Sequence, residues 1–138
     1  MSHDERRAFL MQGTRTGTLG TVRADGRPHV AAVWFVLDGD DLVFMTGSGT
    51  VKGRNLRRDP WATLLVDDDT PPFGFVRCDG VVTISEDLDE MLVWSTRIAS
   101  RYMGPERAEA YGRRNAVVGE LLVRLSPRRI VAEAGVAD

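Results

Sequence analysis

Residues 46–60, TGSGTVKGRNLRRDP, gather hydroxyls, glycines and cations in one short stretch: Thr46, Ser48 and Thr50 alternate with Gly47 and Gly49, and Lys52 and Arg54 follow. A Gly-rich junction between a strand and a helix aims backbone N–H groups at one point, where the helix dipole favours an anion. Together with two full positive charges and three hydroxyl donors, these are the components of a phosphate site. The stretch lacks the spacing of a Walker loop, and no βαβ unit surrounds it as a dinucleotide fingerprint requires. By spacing alone it describes equally well a capped helix whose cations face water. Lys52 sharpens the question, because it is the single lysine among 18 basic residues, the rest being arginine.

The remaining reactive inventory is small. His3 and His29 are the only histidines and Cys78 the only cysteine. Neither a His cluster for a metal nor a Cys–His pair at recognisable spacing can be assembled from them. Cys78 has no partner for an internal disulfide; it reads as a small buried residue or, alternatively, as a redox thiol. No metal site is expected, and no catalytic acid or base is legible.

The elements around this stretch are mostly β. Ser2-x-x-Glu5 predicts a capping box, and Ala8, Phe9, Leu10 and Met11 a short helix ending at Gly13. From Thr14, the runs TRTGTLGTVR, PHVAAVWFVL and LVFMT are separated by Asp-Gly turn pairs and predict a meander of three antiparallel strands. The strand over 30–37 is apolar on both faces, with Val30, Ala32, Trp34 and Val36 on one and Ala31, Val33 and Phe35 on the other, so protein or ligand must cover both. The helix after Thr50 has room for about two turns before Asp59-Pro60 stops it.

WATLLVD and FGFVRCDGVVTI predict two further strands around the Pro71-Pro72 break, and ELLVRLSPRRIVAEAG a last strand or two with a bulge or bend at Pro127. Six or seven short strands in one small domain predict a closed or partly closed barrel, which leaves few exposed edges. Between strands, SEDLDEMLVWSTRIASRYMG and PERAEAYGRRNAVV predict two helices, the first capped by Ser85 and ended by Gly104-Pro105. The stripe Leu88, Met91, Leu92, Trp94, Ile98 and Tyr102 reads as core or interface packing.

A chain of 138 residues, 43% hydrophobic, 28% charged and with a net charge of -2, fits one domain spanning 1–138 and argues against a disordered tail or a nucleic-acid partner. The start, MSHDERRAFL, has neither the basic nor the apolar region of a signal peptide, and the run Val30 to Leu37 is too short to span a bilayer. A cytoplasmic protein without a membrane partner is expected.

Residues 46–60, with Lys52, Arg54-Asn55-Leu56 and Asp59-Pro60, resemble the signature of the pyridoxamine-phosphate-oxidase-like, FMN-binding split-barrel superfamily, in its deazaflavin (coenzyme F-420) dependent branch. The similarity extends through the short first helix, the ADGRPHVAAVWF hairpin, the strand after Asp59-Pro60 and the RYMG stretch at Arg101. It implies a mostly β fold, a six-stranded antiparallel split barrel with short helices, forming a homodimer with the cofactor in a groove between subunits. It also implies that Thr46, Ser48, Thr50, Lys52, Arg54 and Asn55 lie near the cofactor's phosphate and ribityl chain, Val33 and Trp34 against its ring, and Phe73 at the ring edge from the other subunit. Two departures stand out: HVAAVWF lacks the Arg/Lys-bearing strand of pyridoxamine-phosphate oxidases, and Thr50 stands where some deazaflavin relatives carry an arginine.

The activity implied by the resemblance is an F-420-dependent oxidoreductase, passing a hydride from the reduced cofactor to a conjugated acceptor such as an enone, a quinone-like compound or a linear tetrapyrrole of the biliverdin type. Two alternatives stay open: an FMN-binding oxidoreductase, since the same loop could hold a terminal monophosphate, and a non-enzymatic flavin, deazaflavin or haem carrier.

Overall fold

Ser2 starts the first helix as its spacing predicts: its hydroxyl accepts the Glu5 N–H, and the Glu5 carboxylate accepts the Ser2 N–H. In the computed structural model, which describes residues 1–138, this helix, α1 (His3–Met11), is followed by β1 (Gly17–Val22), β2 (Pro28–Val33), β3 (Phe35–Asp38), β4 (Asp41–Gly47) and α2 (Val51–Arg58). The chain continues through β5 (Trp61–Asp67), β6 (Phe75–Ser85), α3 (Leu88–Met103), α4 (Pro105–Asn115) and β7 (Glu120–Glu133). The seven strands form one antiparallel sheet in the order β2-β1-β5-β6-β7-β4-β3. The fold is thus mixed α/β, with seven strands and four helices, where the resemblance implies a mostly β, six-stranded barrel.

The additional strand comes from the apolar run 30–37, which alternation alone presents as continuous. Its first part pairs with β1 as far as Gly17↔Val33, and its second part pairs with β4 starting at Phe35↔Phe44. Trp34 belongs to neither ladder, so β2 and β3 lie at opposite ends of the sheet although one residue joins them. The sheet therefore curls into a half-barrel split at Trp34. At the other seam, Asp79 pairs with Arg129 while Gly80 pairs with Pro127, which leaves one extra residue in β7 and realises the predicted irregularity at Pro127.

Arg101 and Tyr102, in the last turn of α3, fill the split. The Tyr102 hydroxyl accepts the Phe35 N–H (3.2 Å) and donates to the Arg15 carbonyl (2.7 Å). The Arg101 guanidinium donates to the carbonyls of Phe35 (2.7 Å), Leu10 (2.8 Å) and Gly13 (3.0 Å). Backbone groups at the end of α1, in the segment before β1 and at the start of β3 are thus satisfied by two side chains.

Leu19, Phe35, Leu42, Phe44, Leu64 and Leu125 are inaccessible to solvent in the main core inside the curl. A second cluster, Val36, Val43, Met91, Trp94, Ile98 and Leu122, seats α3 on the outer face of β3, β4 and β7. The predicted stripe is thus core at Met91, Trp94 and Ile98, while Leu88 and Leu92 remain exposed. Asp87, not Ser85, caps α3 by accepting the Glu90 N–H (2.9 Å), and the Ser85 hydroxyl donates to the Glu90 carboxylate (2.9 Å).

Cys78 packs in the main core, and burial, reinforced by the Asp79 charge, pushes its thiol up to about 11. Of the two readings of this residue, the buried one holds, since a reactive thiol needs a lowered pKa and access. No helix is long and apolar enough to cross a membrane.

Candidate functional site

Thr50 is the N-cap of α2: its hydroxyl accepts the Gly53 N–H (3.0 Å), donates to the Gly47 carbonyl (2.8 Å) and lies 3.1 Å from the Thr46 hydroxyl. The first turn of α2 presses so closely on the end of β4 that a Cβ at Gly53 would sit 2.3 Å from the Gly47 carbonyl oxygen. Position 53 accepts only glycine without a backbone shift. The start of α2 is thus packed directly on the end of β4, and the Thr46 and Thr50 hydroxyls serve the cap.

Lys52 and Arg54 are separated by two residues, about 200° around a helix of 3.6 residues per turn, so their side chains diverge. Lys52 reaches into a cavity of about 310 Å³. Arg54 donates to the Gly49 carbonyl (2.8 Å) and lines a different cleft, of about 490 Å³, with Arg23, Asn55 and Arg58. Asn55 is buried, and its amide is engaged: it donates to the Thr21 hydroxyl (3.0 Å) and accepts from Arg58 (3.2 Å).

The Lys52 cavity is built by five parts of the chain. Ala32, Val33 and Trp34 at the split form one wall with Met45 of β4; Ser95, Ile98 and Ala99 of α3 form another; Tyr111 and Asn115 of α4 and Glu120 of β7 complete it. The two helices meet closely enough that a Cβ at Gly112 would lie 2.1 Å from the Thr96 hydroxyl, and the Ser95 hydroxyl bridges them by donating to the Gly112 carbonyl (2.8 Å). That contact sets Tyr111 and Asn115, which flank Gly112 on α4, at the cavity.

Trp34 is 44% exposed, and its ring stacks on Tyr102 with centroids 4.8 Å apart and planes inclined by 2°. Glu120 reaches the site because it pairs with Gly47 at the end of the β4–β7 ladder. Its Oε2 is buried without a hydrogen-bond partner. Burial holds the carboxyl above its ordinary range, opposed by the nearby Lys52 charge. The cavity thus sets an apolar, partly aromatic wall against a few convergent polar groups, the usual make-up of a small-molecule site.

The structure brings Val33, Trp34 and Lys52 together in this cavity, whereas Arg54 and Asn55 lie on the other side of α2 and Thr46 and Thr50 in its cap. Ser48 donates its N–H to the Gly119 carbonyl (2.8 Å), tying the loop to the start of β7. Phe73 is 44% exposed, adopts φ 63° and lines a third groove with Asp67, Asp69 and Val136. Positive φ is strained for a bulky residue, and hydrogen bonds from Phe73 N–H to Thr70 and from Asp68 N–H to Gly74 hold the loop in that shape.

Sequence reasoning did not assign Met45, Tyr111, Asn115 or Glu120 to the site, and took Tyr102 only as part of the helical stripe. Glu120 offered one signal, a carboxylate opening the otherwise apolar strand ELLV. Its link to Lys52 depends on strand register, which no local spacing records.

The family model described as pyridoxamine 5'-phosphate oxidase matches residues 2–130. Among solved structures, a conserved hypothetical protein from Mycobacterium tuberculosis is 31% identical over 96% of this chain and 84% of its own, with a TM-score of 0.84. An F420 reductase is 28% identical over 90% of this chain and 94% of its own, with a TM-score of 0.72. A heme storage protein from Vibrio cholerae superposes with a TM-score of 0.75 over 99% of this chain and 98% of its own, at 21% identity, a level at which the likeness is one of fold alone.

Proposed function

Because the chain belongs to the pyridoxamine 5'-phosphate oxidase family, we propose that it is an oxidoreductase that uses the deazaflavin coenzyme F-420 to reduce a conjugated acceptor. The observation that carries this reading is the cavity that Lys52 shares with Trp34, whose ring is stacked on Tyr102. The similarity to an F420 reductase supports the choice of cofactor.

The residues present fit such a ligand in a particular way. One compact cation suits one phosphate, and a flat apolar wall suits a fused ring. When bound, the deazaflavin supplies a hydride at its ring carbon. Lys52 would hold the phosphate, Trp34 and Val33 would orient the ring, and Met45 and Ile98 would exclude water. The exposed outer face of β2, with Val30 66% accessible, would be covered by cofactor or by a second subunit. Phe73, displayed on its strained loop, is the side chain available to a partner's site.

Titration of the purified protein with F-420 and, separately, with FMN tests the assignment by fluorescence. Micromolar F-420 binding at least tenfold tighter than FMN binding is expected. The reverse preference replaces the deazaflavin with a flavin, and binding of neither overturns the cofactor reading.

A further inference from the structure

Four polar side chains in the cavity, Lys52, Tyr111, Asn115 and Glu120, make no hydrogen bond within the chain. They differ in this from Ser95, Thr46 and Thr50, whose hydroxyls are satisfied locally. Lys52 is the only cation among the lining residues and Glu120 the only carboxylate. The groups that face Glu120 can be followed element by element. It shares the cavity with Lys52 of α2, whose charge it feels, and with Tyr111 of α4, with Arg114 behind the Tyr111 ring at 5.7 Å from its centroid. β4 presents Met45 and Gly47, α3 presents Ser95, Ile98 and Ala99, and the split presents Ala32, Val33 and Trp34, none of them ionisable.

Such a pole is electrically balanced as it stands. An anion drawn to Lys52 therefore meets a second negative charge inside a partly desolvated cavity, where water screens less than at an open surface. The repulsion disappears if the carboxyl takes up a proton, and the resulting O–H can donate to the anion.

We propose that an anionic ligand group binds beside Lys52 together with a proton on Glu120, so that the cavity is an anion-plus-proton site. This rests on the reading above that Lys52 receives a phosphate. The carboxyl is already displaced upward by burial, in the direction that eases proton uptake. Affinity is then greatest below the pKa of the free carboxyl, falls about tenfold per pH unit until the pKa of the bound state, and is level beyond it. A bound ligand also acquires a neutral acid group beside it.

The test uses sulfate, which carries no titrating proton in this range, and carboxyl carbon-13 NMR of the whole protein, with Glu120 assigned from the Glu120→Gln spectrum. Saturating sulfate should raise the Glu120 midpoint by one pH unit or more in the wild type and leave it unmoved in Lys52→Ala. Sulfate affinity should depend on pH in the wild type and not in Glu120→Gln. An unmoved midpoint in the presence of bound sulfate overturns the proposal, as does sulfate that perturbs neither Lys52 nor Glu120. The wild-type titration alone decides this if a variant fails to fold. F-420 separates the two readings: a sulfate-shifted Glu120 without F-420 binding defeats the cofactor assignment only, whereas F-420 affinity that is equal below the midpoint of free Glu120 and above that of the bound state defeats the proton uptake only.

Discussion

Replacing Tyr102 with Phe removes one oxygen from the split of the half-barrel and leaves the ring that stacks on Trp34. The Phe35 N–H, in a residue with no solvent access, loses its acceptor at 3.2 Å; an unpaired buried donor costs about 1–3 kcal/mol. The Arg15 carbonyl loses its donor at 2.7 Å, but it is near enough to the surface to bond water, which limits that loss to about 0.5–1 kcal/mol. The expected destabilisation is about 2–3 kcal/mol, which for a domain of this size lowers Tm by roughly 6–12 °C. Urea unfolding followed by tryptophan emission should show a lower midpoint at constant slope. The native emission spectrum should be unchanged, because the Trp34 stack survives; Tyr102→Ala, which removes it, should shift that spectrum. A destabilisation below about 0.5 kcal/mol for Tyr102→Phe would refute the claim that this hydroxyl closes the split.

Lys52→Ala should weaken F-420 binding about tenfold or more, the loss expected of one charge-assisted contact, whereas Arg54→Ala, on the opposite side of α2, should change it less than about threefold; comparable losses would mean that the two cations share one ligand after all. Gly53→Ala should cost more than about 2 kcal/mol in thermal or urea unfolding, since its Cβ meets the Gly47 carbonyl at 2.3 Å, while Gly49→Ala, with nothing within 4 Å, should be nearly neutral. Cys78 should react with a thiol reagent at pH 8 only after denaturation. Its raised folded pKa also has a linkage consequence: the unfolded chain loses the thiol proton first, so this group's contribution to stability is intact below about 9 and declines as the pH rises from 9 to about 11, which urea midpoints across that range would detect.

Local features were legible because local physics sets them. The capping box at Ser2, the Asp-Gly turns, the helix stop at Gly104-Pro105 and the irregularity at Pro127 each follow from the conformational preferences of a few adjacent residues. The break at Trp34 was hidden because Val33, Trp34 and Phe35 continue the alternation perfectly well; what ends the strand is a change of hydrogen-bonding partner from β1 to β4. The divergence of Lys52 and Arg54 could have been read from helical geometry alone, since residues two apart do not share a face. Glu120 could not, because register across β4 and β7 is decided by the whole sheet. Asn55 shows the opposite limit: as a residue type it suits a ligand, but the fold commits it to Thr21.

The sheet order has a consequence for how the molecule is made. β7 lies between β6 and β4, yet it leaves the ribosome after all six other strands of this sheet. Until it emerges, the sheet consists of two pieces that no strand pairing joins, the β2-β1-β5-β6 ribbon and the β3–β4 hairpin. Lys52 follows the hairpin and Glu120 opens β7, so the cavity spans the junction that forms last. Binding competence is therefore acquired in one late step, and a ligand seated there clamps both pieces, adding RT ln(1 + [L]/Kd) to the stability of the whole sheet. Protection of newly made chains from proteolysis would accordingly report how much ligand a cell supplies.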